Sequence, residues 1–520
     1  MTSIIITSLI ICSIFLLPIN GQNYTEKYRL QLHYSVPSGW MNDPNGLIYA
    51  DGYYNLYFQY DPNSMAEDLR PHWGHAKSTD LIHWENLPIA IYPYEKGTIY
   101  SGCCVLDENN VTGFGSHLPG QAEEPLIAIY SLHNVTTDSQ TQGLSYSLDQ
   151  GLTWTYYDDN PIIPNPGLEH FRDPNIFKRY GKFYMILAVF DRVSFYVSEN
   201  LIKWEHFSDF GEGDKNGIWE CPALFTLKDE QNNEHDVLIV SEYIYGGTPK
   251  IGGVTQYFIG QFNGTQFNTY NQSRQLWLEN GQDNYAAVPY HNDPLGRNAI
   301  LIGWMSNWKY AQTTPTSTWR GQLTIPRELG LKTVDGNLYL IQHPVDEFYS
   351  LIDRSRQWSL STPYYMFGNQ SINLTSQMTF KTGSMFTLDY DINIENIENG
   401  EIGLKFSNNL GEFVLFRYNG SSDGYVFDRQ NSGNVTFSPN FANRISKAKR
   451  INTDNRLWGH IVLDTSAIEI FADDGLNVFT ALFFPTEPFE NIELIFDAED
   501  TEKTMTVGKL SVSALNSIWI

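Results

Sequence analysis

Three acidic side chains lie in similar sequence contexts, although they are far apart in the chain. The contexts are NDPNGL at 42–47, RDPNIF at 172–177 and, as a looser copy, ECPALF at 220–225. Two carboxyl groups facing each other across a pocket can cleave a glycosidic bond, one acting at the anomeric carbon and the other protonating the leaving oxygen. Asp43, Asp173 and Glu220 are therefore candidates for sugar chemistry. The alternative is that each opens an ordinary Asp-Pro type of turn.

The neighbours of these acids predict different protonation behaviour. Glu220 has apolar neighbours on both sides, which disfavours its anion. Asp43 has Asn42 and Asn45 as potential hydrogen-bond donors. The third acid follows Arg172, whose permanent charge is expected to keep that carboxylate ionised and to hold substrate hydroxyls. In one pocket the three acids would titrate as a coupled set.

The elements that must position these acids are predicted to be short β-strands. Alternating and aromatic-rich runs recur between Gly, Asn, Asp and Pro, which is typical of an all-β protein. A second echo ends on a tryptophan in each copy: KSTDLIHW at 77–84, YSLDQGLTW at 146–154 and YVSENLIKW at 196–204. A repeat of about 50–70 residues that begins with an acid and ends on such a hairpin indicates propeller blades. Because innermost strands of blades surround one channel, the three acids are expected to share a pocket, and Trp84, Trp154 and Trp204 to pack within blades.

The character of the sequence changes near residue 355. The acidic echoes stop, and alternating strands such as 384–394, 400–406 and 412–418 follow. This part predicts a β-sandwich of about 160 residues, a usual domain size. We therefore expect a propeller over 22–350 and a sandwich over 351–520.

Composition excludes several classes of partner. The 520 residues contain 59 acidic and 33 basic side chains, for a formal charge of −26, so nucleic acid and anionic membranes are poor partners. Hydrophobic residues make up 42% of the chain, which is enough for a substantial core. The 13 Trp and 32 Tyr suit β-sheets and also apolar platforms for sugars.

The N-terminus predicts export. Residues 1–20 form an uncharged apolar run, interpreted as part of a signal peptide over 1–21, with a membrane anchor as the alternative. After leader removal we expect a secreted, extracellular glycoprotein without membrane contact. Nine Asn-x-Ser/Thr sequons support this interpretation: Asn23, Asn110, Asn134, Asn263, Asn271, Asn369, Asn373, Asn419 and Asn434.

Neither a disulfide framework nor a metal site is indicated by the sequence. The chain after the leader contains Cys103, Cys104 and Cys221, an odd number without CxxC spacing. His72 and His75 have the i, i+3 spacing of metal ligands, but no third ligand is near, so a structural or substrate-lining role is preferred. No metal and no cofactor are expected.

The ordered motifs resemble glycoside hydrolase family 32, the family of invertases, inulinases and levanases. The principal motifs are WMNDPNG at 40–46, FRDP at 171–174 and WECP at 219–222. Further matches are YFQY at 57–60, HWGHA at 72–76, YSG at 100–102, GWMSNW at 303–308, WRG at 319–321 and IPREL at 325–329. The departures are Cys103-Cys104, where small or aliphatic residues are usual, and Tyr100, where Phe is common.

The resemblance implies a five-bladed β-propeller followed by a C-terminal β-sandwich, and retaining hydrolysis of β-fructofuranosides without a metal. It assigns Asp43 as the nucleophile, Glu220 as the general acid and base, and Asp173 as the transition-state stabiliser. It also implies a substrate-binding wall, comprising Asn42, Gln59, Trp73, Tyr100, Ser101, Arg172, Asp283, Trp304 and Trp308.

The expected function is release of terminal fructose from sucrose, and from short fructans, with a small sugar as the only partner assigned and no oligomeric state indicated. Three alternatives stay open: a fructosyltransferase using the same covalent intermediate, an inactive carbohydrate-binding propeller, and a related propeller hydrolase acting on arabinose polymers.

Overall fold

The structure is a computed structural model that describes residues 24–66, 71–118, 120–244, 252–270, 274–395, 397, 399–443, 445–498 and 504–519. The predicted signal peptide, with Cys12 and the sequons at Asn23 and Asn271, lies outside the described residues. Within the described ranges, no helix has the length and apolar character needed to cross a membrane.

The first five sheets are antiparallel meanders of four principal strands each, as expected for short alternating runs joined by tight turns. The first sheet contains β1 (Gly39–Ala50), β2 (Tyr53–Asp61), β3 (His72–Ser78) and β4 (Glu85–Ile91). The second contains β5 (Thr98–Leu106), β6 (Leu126–Asn134), β7 (Ser139–Ser147) and β8 (Thr155–Tyr156). The third contains β9 (Phe171–Arg179), β10 (Lys182–Val189), β11 (Arg192–Ser198) and β12 (Glu205–Phe210).

The fourth sheet contains β13 (Gly217–Lys228), β14 (Glu234–Ile244), β15 (Gly252–Phe262), β16 (Phe267–Thr269) and the short β17 (Leu276–Trp277), which also pairs with β15. The fifth contains β18 (Tyr285–Pro289), β19 (Ile300–Trp304), β21 (Arg327–Val334) and β22 (Asn337–Pro344). Between its strands lie the 3₁₀ helix η1 (Ala311–Thr313) and β20 (Trp319–Arg320).

The five sheets close into a ring. Their innermost strands contact one another in the order β1, β5, β9, β13, β18 and back to β1. β20 also closes the ring, because it lies in the chain between β19 and β21 of the fifth sheet but pairs in parallel with β1 of the first. The predicted all-β fold with an N-terminal five-bladed β-propeller is confirmed.

Every innermost strand carries a β-bulge at the same level. In each blade two consecutive residues of the inner strand face one residue of its neighbour, which bends the strand and re-aims its side chains. The bulged pairs are Asn42-Asp43, Tyr100-Ser101, Asp173-Pro174, Cys221-Pro222 and Ala286-Ala287. In the last three blades the first bulge residue has a positive φ, between 45° and 60°. Such left-handed backbone is costly for L-residues other than glycine, so it is a strained feature of the channel.

The tryptophan echo corresponds to a repeated turn between the third and fourth strands of the first three blades. Trp84, Trp154 and Trp204 each immediately precede the outermost strand and pack against the hydrophobic cores, as predicted. In the first blade the turn is held by the Asp80 carboxylate, which accepts the backbone N–H groups of Ile82 and His83.

The remaining strands form two facing sheets around a second core, and this confirms the predicted β-sandwich. One sheet contains β23 (Ile352–Ser359), β24 (Tyr364–Phe367), β26 (Phe386–Asn393), β31 (Arg456–Asp464), β32 (Ala467–Ala472), β33 (Asn477–Leu482) and β35 (Thr504–Leu515). The other contains β25 (Gln370–Asn373), β27 (Gly400–Ser407), β28 (Phe413–Asn419), β29 (Gly424–Asp428), β30 (Ser446–Lys449) and β34 (Asn491–Ala498). Two 3₁₀ helices, η2 (Asp346–Leu351) and η3 (Thr375–Gln377), complete the description.

A buried ionic network joins the two units. Arg327 of the propeller binds Glu469 of the sandwich at 2.7 Å, and His33 of the N-terminal segment lies between Glu469 and Asp464. Burial alone would lower the pKa of His33, but hydrogen bonds to the two carboxylates outweigh it and raise this pKa to about 9. The histidine is therefore a cation at neutral pH. It neutralises part of the acidic charge at the interface.

We predict that the bulge strain is measurable at Ala286, which is buried and has a φ of 53°. Ala286→Gly relieves left-handed strain but loses a buried methyl group, so its free energy of unfolding should stay within about 1 kcal/mol of the parent. The adjacent buried Ala287, which does not have positive φ, is the matched control. Ala287→Gly should lose about 1–2 kcal/mol in denaturant titrations. Equal losses in both variants would show that position 286 is not strained.

Candidate active site

One cavity of about 430 Å³ opens where the five bulged strands converge. This volume falls within the range typical of small-molecule sites. Nine of the predicted site residues line the cavity: Asn42, Asp43, Gln59, Tyr100, Ser101, Arg172, Asp173, Glu220 and Trp308. The three acids, from blades one, three and four, are thus brought together across 177 positions of sequence.

The Asp43 carboxylate is held on both oxygens. Ser101 Oγ donates to Oδ2 at 2.8 Å, and Asn42 Nδ2 donates to Oδ1 at 3.1 Å. Asn42 is itself oriented by Trp40, whose indole Nε1 donates to Asn42 Oδ1 at 2.8 Å. The expected help from Asn45 is absent in this geometry: its Oδ1 accepts the backbone N–H of Gly102 at 3.2 Å. The donors fix the orientation of a carboxylate that reaches the cavity.

Arg172 is the cation of the site, and its main partner is Glu220. Its Nη2 lies 2.5 Å from Glu220 Oε1, whereas its Nε is 3.8 Å from Asp173 Oδ2. Tyr285, which precedes the bulge of the fifth blade, donates its hydroxyl to the other oxygen of Glu220. These contacts differ from the apolar surroundings that the sequence predicted for Glu220. Its sequence neighbours are apolar, but the groups that contact it from the two neighbouring blades are a cation and a hydroxyl donor.

Asp173 is only 5% exposed and receives less direct compensation. The backbone N–H of Cys221 donates to its Oδ2 at 3.0 Å. Burial raises the pKa of Asp173 to about 7, since the opposing effect of Arg172 is countered by the charges of Glu220 and Asp43. The prediction that Arg172 keeps this group fully ionised was therefore wrong.

Burial and the charge of Glu220 also raise the pKa of Asp43, while the donors Ser101, Asn42 and Cys221 act in the opposite direction. The Cys221 thiol lies 3.6 Å from Asp43 Oδ2 and 3.7 Å from Asp173 Oδ2. Burial and the adjacent carboxylates raise the pKa of this thiol well above its ordinary value, so it is a neutral donor between two acids. Arg172 contacts Glu220 and Asp173, so three acids face one cation, and the raised pKa values of Asp43 and Asp173 indicate that the group of acids retains a proton near neutrality.

Two predicted wall tryptophans lie behind the cavity surface. Trp73 and Trp304 are 0% exposed, so neither contacts a sugar in this arrangement. Trp73 packs against Tyr57 and Tyr130, and its Nε1 donates to the carbonyl of Tyr100 at 3.0 Å. Trp304 packs against the cavity-lining residues Trp40 and Trp308. Both tryptophans support wall residues instead of forming the wall.

The prediction that Asp283 belongs to the substrate-binding wall was wrong. Its carboxylate points into the interface between the propeller and the sandwich. It binds Arg429 of the sandwich and accepts the hydroxyl of Tyr310, and it is fully buried. Arg429 also donates to the Tyr310 hydroxyl at 2.7 Å. Tyr310 belongs to the same loop as Trp308, so this ion pair anchors a loop of the cavity from behind.

Sequence reasoning missed several wall residues, which are Trp40, Asp61, Pro71, Gln140, His170, Tyr243 and Gln312. Trp40 is the first residue of the WMNDPNG motif, and Asp61, Pro71 and His170 directly adjoin quoted motifs, so position in or beside a motif was the available signal. Gln140 and Tyr243 lie on β7 and β14, where nothing in the local sequence distinguishes them.

The histidines and cysteines considered as ligands have other surroundings. His75 is buried, stacks on Tyr57 and pairs with Asn55 Oδ1 at 3.0 Å. Cys103 and Cys104 pack in the hydrophobic cores and, like Cys221, are free thiols. Over the part of the chain that the structure describes, no group of three His, Cys, Asp or Glu side chains has a metal-binding arrangement.

Comparison with known proteins agrees with this geometry. Residues 33–344 match the model of the glycosyl hydrolases family 32 N-terminal domain, and residues 359–514 match that of the family 32 C-terminal region. A levanase of Bacillus subtilis is 36% identical over 504 residues, covering 95% of this chain and 72% of that protein. An extracellular exo-inulinase of Aspergillus ficuum is 34% identical over 533 residues, covering 96% of each chain.

Solved structures give the same result. The exo-inulinase of Aspergillus awamori superposes with a TM-score of 0.85 at 31% identity, covering 96% of this chain and all of the other. A fructofuranosidase variant of Schwanniomyces occidentalis complexed with fructosylnystose gives 0.83 at 27% identity, covering 95% and 99%. The chain therefore belongs to glycosyl hydrolase family 32 and is an enzyme of the β-fructofuranosidase type.

Proposed function

We propose that the enzyme releases terminal β-D-fructofuranosyl units from sucrose and short fructans, with retention, through a fructosyl-enzyme on Asp43. The observation that carries the proposal is the meeting of Asp43, Asp173 and Glu220 around Arg172 in one cavity. The names of the relatives, an exo-inulinase and a levanase, support the substrate class.

In the first proposed step, an Asp43 oxygen attacks C2 of the fructosyl unit as the bond from C2 to the leaving oxygen breaks. Glu220 gives its proton to that oxygen, so the leaving sugar departs neutral. The donors from Ser101 and Asn42 support the role of Asp43, because they hold its carboxylate in a fixed orientation.

In the second step, Glu220 takes a proton from water, whose oxygen attacks C2 and releases Asp43 as a carboxylate. Two successive displacements restore the original β configuration. Asp173 faces the same space and is proposed to accept hydrogen bonds from ring hydroxyls of the fructosyl unit. With a sugar hydroxyl in place of water, the same step would produce transfer.

We also propose that the protein is secreted. The predicted leader supports this, as does the extracellular exo-inulinase among its relatives. Asn134, Asn263, Asn369, Asn373 and Asn434 are exposed, as glycan attachment requires.

Incubation of the purified enzyme with sucrose, inulin and levan tests the proposed function. We expect glucose and fructose in equal amounts from sucrose, measured by chromatography. Excess free glucose with growing oligosaccharides would indicate the transferase instead.

Asp43→Asn should lower kcat at least about 10³-fold while sucrose still binds in calorimetry. Asp158→Asn, on the exposed surface, is the control. Wild-type protein that binds sucrose without turnover would contradict the proposal.

We predict that Asp173 destabilises the fold at high pH. Between about pH 4 and pH 7 the folded chain binds the proton of the Asp173 carboxyl group more tightly than the unfolded chain does. The contribution of this group to the free energy of unfolding therefore falls as pH rises through this window. Asp173→Asn removes the buried charge and should raise Tm by about 2–4 °C at pH 8. This gain in Tm should shrink towards pH 4. The variant is expected to lose activity.

The measurement is a series of calorimetric scans from pH 4 to pH 8, with Asp158→Asn as the exposed control that should show no such trend. A lower Tm for Asp173→Asn at pH 8 would mean that Arg172 fully compensates the carboxylate, contrary to the prediction.

A further inference from the structure

His170 occupies a strained position immediately before the third inner strand. Its φ is 52°, in the left-handed region that is uncommon for residues other than glycine, although histidine adopts it more often than most residues do. Its half-buried imidazole lines the cavity, and the ring lies 5.8 Å from that of Phe190, which is 44% exposed. Strain of this kind persists where the surrounding structure enforces it, and it is common at functional sites.

The contact with Arg172 fixes the tautomer of His170. Arg172 Nη1 lies 2.7 Å from His170 Nδ1, and a guanidinium can only donate. Nδ1 must therefore accept, and the proton of the neutral ring is on Nε2. Within the described residues, no protein group is hydrogen-bonded to Nε2. The ring therefore has a donor available for another molecule in the cavity.

The position of this donor relative to the scissile bond follows from the same guanidinium. Arg172 donates from Nη1 to His170 and from Nη2 to Glu220, so its guanidinium lies between His170 and the proposed acid. Asp43 is held by Ser101, Asn42 and Cys221 instead. Because Glu220 must meet the leaving oxygen, His170 is on the side where the leaving sugar lies. The exposed ring of Phe190 beside it offers an apolar platform of the kind sugars use.

We propose that His170 is a specificity-determining residue that donates a hydrogen bond from Nε2 to a hydroxyl of the leaving sugar. The inference rests on the proposed function and deepens it, since it names the group that recognises the unit beyond the scissile bond. Glu169 and Asp138 are the other charged groups near this ring, in addition to Arg172 and Glu220. A purely structural alternative is that His170 serves only to orient Arg172.

A pair of substrates separates these roles. Sucrose has a leaving sugar, whereas methyl β-D-fructofuranoside has only methanol to release and nothing to place against His170. His170→Ala should lower kcat/KM for sucrose about 3- to 10-fold, mainly through KM, the range expected for one hydrogen bond. The methyl fructoside should change less than about 2-fold. Equal losses on both substrates would show that His170 acts only by orienting Arg172. No loss on sucrose would show that His170 does not recognise the leaving sugar.

His170→Asn keeps the test valid if the alanine variant folds poorly. Asparagine tolerates left-handed backbone, so this variant should be at least as stable as the parent in thermal scans. It should still lose the preference for sucrose, because its shorter side chain cannot hold Arg172 and reach the leaving sugar together. Retention of the full sucrose preference would overturn the proposal.

Calorimetry in the Asp43→Asn background makes the result independent of turnover. There, adding His170→Ala should weaken binding of sucrose about 3- to 10-fold but leave binding of fructose unchanged. Equal weakening of both sugars, or of neither, would contradict the role of His170. If the proposed function fails, the wild-type enzyme will release no fructose from either substrate, an outcome distinct from a change in selectivity.

Discussion

The site depends on one electrostatic constraint: Asp43, Asp173 and Glu220 line one confined cavity in which Arg172 is the cation. If all three were ionised, Arg172 would leave two negative charges uncompensated. The raised pKa values of Asp43 and Asp173 show how this charge is relieved, because the group keeps a proton where isolated acids would lose it. A group of three acids that faces one cation and retains a proton has both a proton to give and a carboxylate to act, as glycosidic cleavage requires.

The propeller provides this arrangement through its repeated bulge. The five inner strands present equivalent positions to one channel, and the functional groups occupy different places within the bulge. Asp43 is the second bulged residue of its strand, Asp173 is the first, and Glu220 immediately precedes the pair. This shift of one residue lets a symmetric scaffold hold three acids in different surroundings. The left-handed backbone at Asp173 and Cys221 is part of the energetic cost of this arrangement.

The sequence predicted the fold and the meeting of the acids because both follow from local repeats and ordered motifs. It failed where contacts cross between blades or domains. Arg172 precedes Asp173 in the chain, yet its guanidinium extends to Glu220 on the neighbouring blade. Asp283 lies in a plausible motif, but its partner Arg429 is 146 positions away in the sandwich. Trp73 and Trp304 are of the right residue type, and only packing shows that they lie one layer behind the wall.

Azide rescue of Glu220→Ala tests the central claim most directly, since it examines both proposed carboxylates in one experiment. An aryl β-D-fructofuranoside needs little protonation, so this variant should still form the fructosyl-enzyme on Asp43 and then stall without its base. Added azide needs no base, and the account predicts a faster turnover with β-fructofuranosyl azide as the product by NMR. An α-azide, or no rescue by azide, would contradict the assignment of Asp43 and Glu220 to opposite sides of one bond.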